Sequence, residues 1–385
     1  MHQEKRIAII GGGPGGLTLA RILATRGIPS AVFELDAHAL SRPQGGSLDL
    51  HTDSAQLALR EAGLEAAFRA LARYDDQRDA IYDHEGKLYF EHDGTGRGPS
   101  AEGGRPEIDR TQLRDILLAS LSPDMVRWNS KVSGIEALPD GRYRVVSGSG
   151  SLGEFDLVVG ADGAWSKVRP LLSQQKPHYT GVTFIELSFE HVDEVHPAIA
   201  QLVPSGKISA VGGGQGFIAQ RSSGGQVRAY FMFRVPLDWI QSGGLDLSAP
   251  DRARSTLKSA LPGWAPKFLA FIDECNDAIV ARPLVMLPVG HRWEHRAGVT
   301  LLGDAAHVMS PFSGEGVNMA MLDACELALA LASDDDWSRA VASYEAKMFV
   351  RAAEAAAGAE QGLDFVSEQG LAHILEHFSQ ISDGH

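Results

Sequence analysis

Ile7-Ala8-Ile9-Ile10-Gly11-Gly12-Gly13-Pro14-Gly15-Gly16-Leu17 is the stretch on which the fold turns. The apolar run, mostly β-branched, reads as a short buried strand. Glycines follow in the pattern G-x-G-x-x-G at Gly11, Gly13 and Gly16, and a helical pattern then runs through Leu17, Leu19, Ala20, Leu23 and Ala24. Between a strand and a helix these glycines have separate tasks. Gly11 permits the tight turn, Gly13 lets a pyrophosphate approach the backbone, and Gly16 lets helix and strand pack closely. The anion then sits at the helix N-terminus, where unpaired N–H groups and the dipole favour negative charge. A second strand, Ser30 to Phe33, ends at Glu34, 18 residues past Gly16, where a carboxylate accepts hydrogen bonds from an adenosine ribose. A glycine-rich turn without ligand is the plainer reading of the motif alone; strand, helix and acid together favour a nucleotide. NAD(P) and FAD both stay open on these residues. Lys5-Arg6 ahead of the run imitates a signal peptide, but the apolar run is too short and no small-residue cleavage site follows.

The rest of the composition agrees with a large folded enzyme. At roughly 150 residues per domain, 385 residues imply two or three domains, or one large domain with an insertion. Hydrophobic residues at 44% against 22% charged exclude a disordered chain. A formal net charge of -14 argues against nucleic acid or an anionic membrane as main partner. No run of about 18 uninterrupted apolar residues predicts a membrane span. Cys275 and Cys325 cannot build a disulfide framework and read as small core residues, which fits a reducing cytoplasm. HExxH, paired CxxC and G-x-S-x-G are all missing, so zinc and α/β-hydrolase chemistry have no support. Glycine is in excess, 42 residues, about 11% where about 7% is usual.

Beyond Glu34 the chain does not continue as a simple alternation of strands and helices. Arg42 to His51 (RPQGGSLDLH) is a glycine-bearing loop running into a strand, and Asp53 caps a helix through Leu57 to Ala62. Asp109-Arg110-Thr111 opens a helix with Leu113, Ile116, Leu117 and Leu121 on one face. Strand-like runs follow at Lys131–Leu138, Arg142–Ser147 and Glu154–Gly160, the last leading into Gly160-Ala161-Asp162-Gly163 and on to Arg169. Residues 178 to 288 read as a separate antiparallel sheet, with strands at Thr183–Phe189, Ile208–Val211, Gly216–Gln220 and Val227–Val235. Downstream, Val299–Leu302 precedes Gly303-Asp304-Ala305-Ala306-His307 and Pro311-Phe312-Ser313-Gly314-Glu315-Gly316-Val317-Asn318. Trp337–Ala355 is a long amphipathic helix, and a last helix passes through Leu371, Ile374, Leu375 and Phe378.

Three segments in this order, the dinucleotide fingerprint, the D-G segment (Gly160 to Arg169) and the G-D segment (Gly303 to Asn318), resemble the FAD-dependent aromatic hydroxylases. These are the group A flavoprotein monooxygenases related to p-hydroxybenzoate hydroxylase. Within that family, Gly45 to His51 (GGSLDLH) and the short C-terminus are most similar to the tetracycline-inactivating flavin monooxygenases. The resemblance covers almost the whole chain. It implies an α/β fold: a Rossmann-like FAD-binding domain of the GR2 type, an inserted antiparallel-sheet substrate domain, and a C-terminal bracing helix. The corresponding divisions are 1–177 with 289–333, 178–288, and 334–385.

The resemblance also implies roles. FAD would be held by Gly11, Gly13, Pro14, Gly15 and Gly16 at the pyrophosphate, Glu34 and Leu35 at the adenosine, and Arg110 at the pyrophosphate or ribityl region. Asp304 would accept from ribityl hydroxyls, and Pro311, Gly314, Gly316, Val317 and Asn318 would line the isoalloxazine, with Arg42 and Asp49 as contacts or gates beside the ring. Asp162 and Gly163 belong to a segment linked to FAD and nicotinamide nucleotide. A helix N-terminus near Gly314 would stabilise reduced flavin. Two departures stand out: Leu35 replaces a common arginine, and Glu315 places a carboxylate where a neutral residue is usual. Glu186, Lys207, Phe217, Arg228, Pro311 and Phe312 would contact substrate, with Ile218 and Phe231 adding apolar wall and Met348 or Phe365 closing the entrance. Solvated charges on a half-exposed sheet are the plainer reading of Glu186, Lys207 and Arg228, and His307 reads as structural or as part of the flavin surround. NADPH or NADH would reduce FAD in a transient encounter, since only one G-x-G-x-x-G is present. O2 would add at flavin C4a, and the distal oxygen would pass to a polycyclic phenol or enol. The expected protein is a cytoplasmic monomer whose partners are an aromatic small molecule and O2. The narrower resemblance makes it a candidate tetracycline-inactivating enzyme; a flavin-dependent hydroxylase of another aromatic or polyketide, a flavin oxidoreductase without oxygen insertion and a non-catalytic FAD binder are the alternatives.

Overall fold

The apolar run Ile7–Ile10 forms β1, buried along its whole length. The computed structural model describes residues 5–41, 45–93, 104–242 and 245–382, so Arg42 lies outside the described residues. The chain divides into two compact units: Met1–Ala72, Arg110–His178 and Val285–Ala359 form the first, and Arg73–Asp109, Tyr179–Leu284 and Glu360–His385 the second.

In the first unit, β1 pairs in parallel with β2 (Ser30–Phe33) on one side and with Leu157–Gly160 on the other. Val299–Leu301 and Val126–Arg127 complete a five-stranded parallel sheet at its two edges. Strands covered on both faces need continuous apolar runs rather than alternation, which is what β1 and Leu157–Gly160 supply. Helix α1 (Pro14–Thr25) follows β1, with Pro14 at a position whose N–H has no intrahelical partner to lose. Leu17, Leu19, Ile22 and Leu23 bury its inner face. An antiparallel meander of Val132–Ala137, Tyr143–Ser147 and Gly150–Phe155 leads into the Leu157–Gly160 strand. The helix Gly316–Ser333 has the length and apolarity of a membrane span, and 56% of it is buried inside the fold. Asn318 and Asp323 within it are fully buried and engaged in hydrogen bonds.

The second unit is built on a seven-stranded sheet in the order Val280–Met286, His178–Phe189, Gln226–Arg234, Gln215–Ser222, Lys207–Gly212, Asp79–Asp83, Leu88–His92. One face carries Ile185, Phe217, Ala229 and Phe231, which pack with Phe268, Phe271 and Trp264 into an aromatic core under the helices Pro250–Ser259 and Pro266–Glu274. The sheet is not wholly antiparallel, because Lys207–Gly212 and Asp79–Asp83 run parallel.

The units also divide the chain differently from the sequence reading. Residues 73–109 cluster with the seven-stranded sheet and supply two of its strands. Ala80, Ile81 and Tyr82 are buried on both faces, so this strand shows no alternation by which to recognise it. The 334–385 segment is not a unit of its own. The helix Trp337–Gln361 belongs to the first unit through Ala359, and the remainder to the second. There Ile374 packs with Ile81 and Val211, and Phe365, Leu371 and Leu375 surround them.

Candidate functional site

The glycines of the first unit sit where their bare backbone is needed, each for its own reason. Gly11 has φ +112°, and a Cβ on it would lie 2.2 Å from the Ala161 carbonyl oxygen. A Cβ on Gly16 would lie 2.1 Å from the Gly11 carbonyl oxygen, and one on Gly15 2.9 Å from that of Ala320. These three glycines let the loop, α1 and the Gly316–Ser333 helix approach one another. Gly13, the N-cap of α1, differs: nothing lies within 4 Å of where its Cβ would be. Open space at the N-terminus of a twelve-residue helix, with no side chain intruding, is room for an anion. Beside it, buried Glu34 accepts from the Gly12 N–H through Oε2 at 2.6 Å and from the Asp36 N–H through Oε1 at 2.9 Å. Those bonds lock the carboxylate at the end of β2 and leave each oxygen a further lone pair for a ribose hydroxyl. Leu35 points away, 61% exposed.

At the end of the Leu157–Gly160 strand, Asp162 Oδ2 accepts from the Lys167 N–H at 2.6 Å, while Oδ1 is buried without a hydrogen-bond partner. Burial raises the Asp162 pKa, against the Ser166 hydroxyl and the Lys167 amide. Ser166 Oγ accepts from the Val168 and Arg169 amides, and buried Arg169 donates to the carbonyls of Ala305 and Ala164. This arginine, to which the sequence reading gave no role of its own, ties the D-G segment to the G-D segment. Asp304 presents an exposed surface in the first turn of the short helix Asp304–His307. Desolvation raises its pKa, while His307, Arg110 and Arg169 pull the other way.

The segment Pro311–Asn318 splits into two roles. Pro311 and Gly314 are exposed, Phe312, Gly316 and Val317 partly so, and neither Gly13 nor Gly316 has an atom within 4 Å of a Cβ position. Gly314 takes the left-handed conformation that turns the chain into the Gly316–Ser333 helix. Asn318 corrects the expectation that it lines the ring. It is fully buried, its Oδ1 accepting from the His51 N–H at 2.9 Å and its Nδ2 donating to the Asp49 carbonyl at 3.0 Å. It therefore clamps β3 (Ser47–Asp49) to the helix. His51 in turn lies between two carboxylates, with Nε2 3.2 Å from Asp49 Oδ2 and Nδ1 3.6 Å from Glu315 Oε1.

His307 is buried in a hydrogen-bonded pair. Its Nε2 is 2.6 Å from Asp323 Oδ2, and that carboxylate also accepts from the Gly303 N–H and from Arg351. Burial would depress the imidazole, but the charge and hydrogen bond of Asp323 outweigh it and raise its pKa. Met348 is a core residue at 1% exposure, and Phe365 packs against the Ile81–Val211–Ile374 cluster; neither is placed as an entrance flap.

On the second unit, strand alternation separates the proposed substrate contacts. Phe217 is 1% exposed, its ring 4.7 Å from that of Phe231 and 4.9 Å from that of Phe271. Both Phe217 and Phe231 are core, not cavity wall; Ile218 points to the opposite face, where it is paired with Tyr230. On that opposite face Glu186 is buried and spends both oxygens on arginines, Oε1 on Arg228 and Oε2 on Arg282. Lys207 pairs with Asp79 at 3.2 Å. Arg282, absent from the sequence reading, keeps 56% of its side chain exposed. Two guanidiniums on one carboxylate leave a net positive charge there. Among the described residues no cluster of His, Cys, Asp or Glu forms a metal site.

Comparison with known proteins agrees with this geometry. The family model described as "FAD binding domain" matches residues 4–355. Monooxygenase penA of Penicillium thymicola is 34% identical over 375 residues, covering 84% of this chain and 84% of that protein. The structure of Klebsiella pneumoniae HpxO complexed with FAD and uric acid superposes with a TM-score of 0.80 at 21% identity, covering 100% of this chain and 94% of that one. Tetracycline destructase Tet(55) superposes with a TM-score of 0.70 at 22% identity, covering 95% and 90%. At such identities the structural likenesses show a shared fold.

Proposed function

The chain belongs to the FAD binding domain family, and from that membership we propose that it is an NAD(P)H-consuming hydroxylase placing one oxygen atom on a polycyclic phenolic or enolic substrate. It is an FAD-dependent monooxygenase, as its relatives' names and its cofactor fold support. The observation that carries the cofactor assignment is the open space at Gly13, at the N-terminus of α1 and beside the locked Glu34 carboxylate. Bound FAD supplies the electron reservoir and the centre at which O2 is activated.

The chain's own residues bind and orient. The α1 N-terminus would hold the pyrophosphate, Glu34 the adenosine ribose, Asp304 the ribityl hydroxyls and Arg110 the pyrophosphate or ribityl region. The N-terminus of the Gly316–Ser333 helix, reached through Gly314, would favour an anionic reduced flavin. Pro311 and Phe312 would line the ring, and Asp49 would stand as a contact or gate. NADPH or NADH would serve as transient reductant, in keeping with a single nucleotide fingerprint. No side-chain nucleophile is needed for oxygen transfer of this kind.

On the substrate side, the net positive Glu186–Arg228–Arg282 group suits an ionised phenol or enol. Glu186 serves there as the anchor of two arginines rather than as a free contact. Arg282→Gln should raise KM several-fold with little change in kcat. An unchanged KM would remove Arg282 from the substrate surface. Tetracycline is one member of the proposed class.

The decisive experiment incubates purified enzyme with NADPH, 18O2 and a panel of tetracyclines, anthraquinones and simple phenols, and reads product mass. One 18O atom in a panel member, with substrate-stimulated NADPH oxidation, supports hydroxylation. Unaltered tetracyclines beside a hydroxylated phenol would move the substrate away from tetracycline. A product that loses hydrogen without gaining oxygen would point to a flavin dehydrogenase instead.

A further inference from the structure

Sulfur is distributed unevenly between core and surface in this chain. Among the described methionines, Met232, Met286, Met319, Met321 and Met348 are buried at 4% exposure or less, and only Met125 and Met309 are partly open to solvent. Met125 precedes the edge strand Val126–Arg127. Met309 stands in the link between the short helix Asp304–His307 and the turn Pro311–Ser313. Its side chain meets that turn, with the Ser313 hydroxyl 3.9 Å from Sδ, within reach of a weak hydrogen bond to sulfur. Ser313 Oγ is also 3.5 Å from the amide nitrogen of Glu315, the residue that opens the Gly316–Ser333 helix. The link itself is pinned on both sides of Met309. The Val308 carbonyl accepts from the Leu287 N–H, and the Ser310 hydroxyl donates to the Ala359 carbonyl. A partly open thioether is thereby held against the turn that leads into the helix.

We propose that Met309 is an oxidation site, converted to its sulfoxide by hydrogen peroxide released when bound reduced FAD meets O2 with no substrate to hydroxylate. This rests on the reading above in which the turn from Pro311 lines the flavin. In the idle reaction O2 takes two electrons and two protons, leaving oxidised FAD and H2O2. A lone pair of the Met309 sulfur then attacks one peroxide oxygen. The S–O bond forms as the O–O bond breaks, and the departing hydroxide takes the proton of the transferred oxygen and leaves as water. Sulfur is oxidised by two electrons and peroxide is reduced by two. The product sets a polar oxygen where a weak sulfur acceptor met Ser313. The Ser313 hydroxyl follows the stronger acceptor, and the turn it shares with Gly314 and Glu315 shifts with it. FAD is then held less tightly, so an enzyme idling without substrate lowers its own cofactor occupancy. A methionine sulfoxide reductase restores it.

The test reduces the FAD of the holoenzyme anaerobically with stoichiometric dithionite and re-oxidises it in air. The cycle is repeated with catalase present, and sulfoxide is mapped by peptide mass spectrometry. Catalase destroys peroxide that reaches bulk solution, so Met309 should gain an oxygen several-fold faster than Met125 in the same molecules. A parallel sample of oxidised holoenzyme receives hydrogen peroxide without catalase and reports the intrinsic reactivity of both sulfurs. FAD affinity, titrated by fluorescence after the cycles, should fall several-fold in the wild type and recover on treatment with methionine sulfoxide reductase. In Met309→Leu it should stay constant. Equal labelling of Met309 and Met125 in both arms, or none, overturns the proposal and leaves the flavin placement standing. Selective labelling of Met309 by added peroxide but not during the cycles overturns both, because peroxide is then not released beside that turn. Sulfoxide at Met309 with unaltered FAD affinity would overturn the link to cofactor occupancy.

Discussion

A single added methyl group separates the glycines pressed against backbone from Gly13, which has open space beside it. Gly16→Ala would drive a Cβ to 2.1 Å from the Gly11 carbonyl, backbone against backbone, and should abolish the stable fold. Gly13→Ala meets nothing and should cost at most about 1 kcal/mol of capping stability. Its FAD affinity should fall about tenfold or more, a loss of roughly 1.4 kcal/mol. Thermal melts of the apoprotein set beside FAD titrations separate the two outcomes. His307 and Asp323 add a pH signature. The raised imidazole takes up a proton on folding, so its contribution is complete below about pH 6.5 and is lost as the pH climbs through its folded value. Asp323 behaves oppositely: its carboxyl is lowered by His307 and Arg351 against its burial, so its contribution holds above about pH 3.9 and fades as acid is added. Urea unfolding from pH 6 to 9 should show stability declining toward alkaline pH in the wild type, with a flatter profile in His307→Gln.

Elements decide which of the plausible contacts are available to ligands. The helix Gly316–Ser333 uses Asn318 to hold β3, so Asn318→Ala leaves the Asp49 carbonyl and His51 amide unpaired and should cost about 1–3 kcal/mol in urea melts. In the seven-stranded sheet, the two-residue period sends Phe217 to the aromatic core and Glu186 to the other face. Phe217→Ala should therefore lower stability by about 3–5 kcal/mol and leave KM unchanged in the protein that remains folded. Four of the seven strands of this sheet were legible as short runs near their observed positions, but which alternate residues face inward was not. Both faces carry apolar and charged residues, so composition alone does not orient it. Arg282 was missed for the same kind of reason: it becomes notable only when strand pairing places it on Glu186, far away in sequence.

Taken whole, the molecule assembles each unit from separated pieces of chain. The first unit collects three segments and the second another three. The C-terminal helix Gly370–Ser382 illustrates the consequence, since its Ile374 fills a cluster with Ile81 and Val211. Ile374→Ala should lower the unfolding free energy of the holoenzyme by about 2 kcal/mol or more. No change in urea unfolding would make that helix an unattached tail. Sequence alone pointed to a nucleotide and to the α/β class through local rules, and to FAD through the order of three separated segments. A glycine at each tight approach, apolar runs in covered strands and an acid at the end of β2 are all written within a few tens of residues. Tertiary structure alone decided that Asn318 is a clamp, that Phe217 is core, that 73–109 joins the second sheet, and that His51 stands between Asp49 and Glu315. Each of these depends on contacts between residues distant in the chain, and no local pattern records which of several compatible partners folding will bring together.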